Sequence, residues 1–180
     1  PRRFSPISLF YIHHSTFIIT AAPRSPLHAP SSPLPAPHSK LHASLMIITQ
    51  TPFRISFAGG GSDLPAYYRE HGGAVVSTTI DKYVYVTVSR KFDHTLRVSY
   101  SQTEEVENAG QLKHPIVREG LHMLGLEGGL EITSVADIPS RGTGLGSSSS
   151  FAVGLMHALH AIGGRHVSAE RLADEACRIE

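Results

Sequence analysis

Residues 139–159, PSRGTGLGSSSSFAVGLMHAL, run without a break from a glycine- and serine-rich loop into an apolar helical pattern. The first turn of a helix presents N–H groups with no helical partner and a partial positive charge, so an anion suits such a junction. A P-loop would close its glycines with Lys-Ser or Lys-Thr, and no lysine follows Lys113. A dinucleotide-binding turn would need a third glycine at 147, where this chain has serine. A flexible linker would not set four serines directly ahead of an amphipathic helix. What fits is a nest of backbone N–H groups for a polyphosphate. Gly142, Gly144 and Gly146 let the chain approach the phosphates, and Ser147 and Ser148 offer hydroxyls to Mg²⁺.

The elements that must carry this loop follow from periodicity. Apolar, β-branched runs at 47–57, 74–80, 82–89, 96–100 and 130–135 read as strands. In the best of them Val84, Val86 and Val88 share one face and Tyr83, Tyr85 and Thr87 the other. Helices are expected at 63–70, at 115–124, at 150–162 with Gly163-Gly164 as its stop, and from Ala169 onward behind a Ser168 cap. Strands and helices in this irregular order argue for an α+β fold, not a doubly wound sheet.

Composition bounds the function. The 180 residues carry a formal net charge of +1, which implies neither a nucleic-acid nor a membrane partner. Cys177, the single cysteine, excludes an internal disulfide framework and suits a reducing, cytoplasmic setting. Residues 1–45 differ from the rest, holding Arg2, Arg3, Arg24 and Lys40 but no acid and no glycine. Their Pro/Ser/His-rich part, 23–40, is expected to be disordered or polyproline-like. The whole stretch, 1–45, is expected to be a disordered tail, either upstream of a natural start at Met46 or a targeting segment. Its five histidines have no metal-binding spacing. The domain is expected to be 46–180.

From Met46 onward the residues resemble the GHMP kinases (galactokinase, homoserine kinase, mevalonate kinase and phosphomevalonate kinase). The family's nucleotide motif, a proline followed by Gly-Leu-Gly-Ser-Ser-Ala/Ser, is matched by Pro139 and GLGSSSS with one extra residue between. Its opening Pro-x-Arg strand and glycine-rich sugar loop are matched by TPFRISFAGGGSDLPAYY at 51–68. FAGGGSDLP is similar to the branch acting on D-glycero-D-manno-heptose 7-phosphate, with fucokinase-like enzymes nearby.

The resemblance implies an α+β fold of the ribosomal protein S5 domain 2-like kind. It also implies ATP and Mg²⁺ as cofactors and a sugar phosphate as substrate. Pro139, Gly142, Gly144, Leu145, Gly146, Ser147, Ser148 and Ser149 fall on the nucleotide loop, and Ser148 and Glu180 on the Mg²⁺ ligands. Gly60, Gly61, Ser62 and Asp63 fall on the sugar loop, and Arg54 on the arginine near the reacting hydroxyl. Plainer readings stand beside these: a helix cap for Ser148 and Asp63, a strand-surface charge for Arg54, a surface helix acid for Glu180. Asp81 is a sugar contact or a turn residue. The family's aspartate base and its C-terminal domain have no counterpart here, and neither Asp137 nor Asp174 stands in the base's context. The expectation is the N-terminal half of an ATP-dependent sugar kinase, without turnover by itself. The alternative is a non-catalytic nucleotide- or sugar-binding protein on the same fold.

Overall fold

The computed structural model describes residues 18–20, 46–139 and 144–180. The elements are β1 (Ile18–Thr20), β2 (Met46–Ala58), α1 (Pro65–His71), β3 (Val76–Arg90), β4 (Leu96–Ser99), β5 (Thr103–Val106), α2 (Pro115–Leu124), β6 (Leu130–Ala136), α3 (Ser147–Ile162) and α4 (Ala169–Ile179). The strands form one sheet in the order β1-β2-β3-β6-β4-β5, antiparallel throughout except between β4 and β6. Val84, Val86 and Val88 are buried, while Tyr83, Tyr85 and Thr87 on the other face are only half-buried. Leu155, Ala158, Leu159 and Ile162 of α3 join these valines in the main core, and α2 packs beside α3. A second, smaller cluster joins α3 to α4 through Ala152, Met156, Leu172, Ala176 and Ile179. The α+β expectation holds.

Four local expectations shift. Runs 74–80 and 82–89 are one strand, and Asp81 is no turn. Pro52 pairs with Tyr83 and Arg54 with Thr79, so Phe53 alone lies opposite Ile80, Asp81 and Lys82. The extra residues are absorbed as a bulge beside a proline that cannot donate to the ladder. Helix α1 starts at Pro65, with Leu64 and not Asp63 at its N-cap. Helix α3 starts at Ser147, three residues before the expected start, so the serines build its first turn. The short strand β5 lay outside the expected set. Within the stretch expected to lack structure, Ile18–Thr20 pairs antiparallel with β2. The remaining residues of 1–45 lie outside the described residues.

Candidate functional site

The glycine loop is tied to β2 where that strand is irregular. The Arg54 N–H donates to Leu145 O at 3.1 Å. Arg54's side chain then lies against Gly146, where a Cβ would stand 3.1 Å from its Cγ and 3.2 Å from its Nε. Arg54 Nη1 donates to Ser56 Oγ at 2.6 Å. Gly144 and Gly146 hold φ of +65° and +70°, the left-handed region that disfavours side chains. Among the described residues, nothing lies within 4 Å of where a Cβ on Gly144 would stand. Gly142 lies outside the described residues, and Pro139, at the edge of that gap, is exposed.

Beyond Gly146 the four serines separate by role. Ser150 is buried, its hydroxyl donating to Pro52 O at 3.0 Å, which fastens the first turn of α3 to β2. Ser149 Oγ donates to Glu180 Oε2 at 2.8 Å, bringing the end of α4 onto that turn. Ser148 is exposed, and Ser147 and Ser148 both border a cavity of about 420 Å³. Glu180 and the serine turn are thus brought together, with Ser149 as the direct partner and Ser148 one position away.

The cavity's other walls include Phe53, Tyr100, His114 and Phe151. The His114 ring stands edge-on to Tyr100 at 4.7 Å and 5.3 Å from Phe151. One carboxylate, Glu104, organises this corner. It accepts from the Tyr100 hydroxyl at 2.9 Å, from Lys113 N–H at 2.7 Å and from His114 N–H at 3.2 Å. Burial pushes the His114 imidazole below its ordinary range, against the opposing pull of Glu104. The result is an aromatic corner that Glu104 holds in place. Sequence reasoning missed Tyr100, His114 and Phe151. The one available signal was a histidine ahead of Pro115 at a helix start.

The expected sugar loop is closed on itself. Ser62 Oγ lies 2.7 Å from Gly59 O and 3.0 Å from Ala74 O, and accepts from Ala74 N–H at 3.2 Å. Asp63 Oδ1 accepts from Gly61 N–H at 2.9 Å, so Asp63 orders the loop and does not cap α1. Gly60 and Gly61 are exposed, with open space where a Cβ would stand.

Residues 106–180, from β5 to Glu180, match the GHMP kinases N terminal domain. This stretch, which holds the serine turn and Glu180, is what is similar to that domain. A D-glycero-alpha-D-manno-heptose 7-phosphate kinase of Campylobacter jejuni is 30% identical over 124 residues, which is 62% of this chain and 36% of that protein. A D-glycero-D-manno-heptose 1-phosphate kinase structure from Bacteriodes thetaiotaomicron superposes with a TM-score of 0.66 at 24% identity, over 76% of this chain and 48% of that one. Lactococcus lactis galactokinase, complexed with galactose, gives 0.61 at 19% identity, over 74% and 37%. At such identities these structural likenesses speak for the fold alone. The chain spans between about a third and a half of the length of these relatives.

Proposed function

We propose that residues 46–180 are a GHMP kinase N-terminal domain that binds Mg²⁺-ATP at the Gly144–Ser149 turn and serves transfer of the γ-phosphoryl group to a sugar hydroxyl. The acceptor is the anomeric hydroxyl of D-glycero-D-manno-heptose 7-phosphate, in line with the name of the Campylobacter relative. The observation that carries the reading is the junction itself. An open, left-handed Gly144 leads into a serine-built helix start, with Glu180 bonded to that turn and a cavity of about 420 Å³ alongside.

The residues fit the group. Among the described residues nothing fills the space beside Gly144, and phosphates bound there would meet the first N–H groups of α3. Ser148 and Glu180 supply hydroxyl and carboxylate oxygens, the hard donors Mg²⁺ takes alongside phosphate. Bound there, Mg²⁺ would neutralise charge on the β- and γ-phosphates. The Tyr100, His114 and Phe151 rings give the cavity an aromatic lining for the base. Arg54, held against Gly146, adds a fixed cation beside the phosphates. Asp63 is the acid of a preformed sugar loop.

In the transfer, the sugar oxygen bonds to the γ-phosphorus, the bond to the ADP oxygen breaks, and the hydroxyl proton leaves to a base. Two carboxylates are engaged elsewhere: Asp137 Oδ2 accepts from Tyr83 N–H at 2.8 Å, and Asp174 lies 3.8 Å from Arg178. A base helps only within hydrogen-bond reach of the reacting proton. Calorimetry should therefore find Mg²⁺-ATP binding to the 180-residue chain, weakened by Ser148→Ala. A coupled ADP-release assay with heptose 7-phosphate should find no turnover above the no-sugar background. Absence of nucleotide binding would sink the reading, and sustained turnover would show the base misplaced.

A further inference from the structure

Helix α4 is held to α3 by more than its apolar stripe. His160 and Glu175 are both buried, at 0% and 6% exposure. His160 Nε2 donates to Glu175 Oε2 at 2.6 Å, and Arg171 Nε donates to Glu175 Oε1 at 2.8 Å. His160 Nδ1 is buried with no partner among the described residues. Replacing a buried polar pair by an apolar one of similar volume is often neutral or stabilising, so cohesion alone does not explain the arrangement. What it adds is register. Leu172, Ala176 and Ile179 could slide or roll against Ala152 and Met156 at small cost. A carboxylate gripped on both oxygens cannot, because any shift leaves a buried charge unmet.

Glu180, the residue that caps α4, lies five residues beyond Glu175, about 7.5 Å along the helix axis. Its Oε2 meets Ser149 Oγ at the start of α3. Helix α4 is thus pinned at Glu175 and delivers a carboxylate at Glu180.

We propose that His160, Glu175 and Arg171 are positioning residues that fix the register of α4 on α3 and so place Glu180 at the serine turn. The inference rests on the Mg²⁺-ATP reading above, in which Glu180 acts through the metal.

The test measures affinity of the full chain for a non-hydrolysable ATP analogue by calorimetry, with Mg²⁺ and with chelator. The ratio of the two affinities isolates the metal. The double variant His160→Leu/Glu175→Leu should keep its helix content and melting temperature but lose about tenfold in that ratio. Glu175→Gln, whose side-chain oxygen can still accept from His160, should retain most of it. A merely structural role predicts the opposite pattern, with lowered stability and an unchanged ratio, and that result overturns the proposal. Should the double variant fail to fold, Arg171→Met decides instead. Its side chain is 58% exposed, and loss of its bond to Glu175 should lower the ratio about threefold. An unchanged ratio there overturns the proposal equally. Failure of the underlying reading looks different: the unaltered chain shows no Mg²⁺ gain, or Glu180→Gln leaves that gain intact.

Discussion

At the scale of residues, Gly144 separates a turn requirement from a ligand requirement. Its φ of +65° alone would select glycine, yet no described residue stands within 4 Å of where a Cβ would be. Gly125, which ends α2, has nearly the same geometry, a φ of +67° and nothing within 4 Å. Valine at either position pays a similar backbone strain, about 1–2 kcal/mol of stability. Only Gly144→Val should also cost nucleotide affinity, by tenfold or more, because only there would phosphates occupy the space. Calorimetry and thermal melts on the pair distinguish the two effects. Equal affinities would mean that the glycine serves the turn alone. Gly146 is the poorer probe, since a side chain there must first displace Arg54.

At the scale of elements, the position of α3 over β2 sets where the serine turn stands. Gly154 allows the close approach. A Cβ there would lie 2.8 Å from Thr51 Oγ1 and 3.3 Å from Thr49 Oγ1, and Thr49 Oγ1 itself donates to Gly154 O at 2.9 Å. Gly154→Ala should therefore lift α3 and destabilise the fold by about 1–3 kcal/mol. Thr51 Oγ1 is buried without a partner among the described residues, so adding Thr51→Ala should restore about half of that loss. Urea unfolding of the two single variants and the double measures the coupling, and simple additivity would refute the contact. Such elements were largely legible from sequence: α2, α4 with its Ser168 cap, and β6 fall within a residue of their expected bounds. Strand β5, TEEV, was not, because two adjacent acids mask a short edge strand that borrows its order from β4. The start of α3 was misplaced because serines favour loops by propensity, whereas here Ser149 and Ser150 find partners in Glu180 and Pro52. The aromatic cavity was illegible for a different reason. Tyr100, His114 and Phe151 come from three separate segments, and no local pattern announces their meeting.

At the scale of the whole molecule, two carboxylates join the outer elements to the body. Glu104 on β5 holds the turn leading into α2, and Glu175 sets the register of α4 on α3. Burial pulls both carboxyls upward in pKa. For Glu104 the Lys113 N–H, the Tyr100 hydroxyl and the His114 N–H outweigh it; for Glu175 His160 and Arg171 do. Both end below the ordinary glutamate value of 4.5. Two imidazoles also titrate low: burial depresses His114 and His157, with His160 and His166 adding to the effect at His157. All four shifts have one sign, for in each window the unfolded chain binds protons that the folded chain does not. Stability should thus be level above the ordinary imidazole value of 6.5, decline as pH falls through the lowered values of His114 and His157, and decline again below 4.5 as Glu104 and Glu175 protonate. Urea midpoints taken between pH 3.5 and pH 8 should trace this two-stage loss. Glu104→Gln should be less stable at neutral pH and should flatten the lower stage, because its amide has no proton to take up. A midpoint that stays level through pH 4, or one that rises on acidification, would show that these buried groups do not couple the outer elements to the sheet.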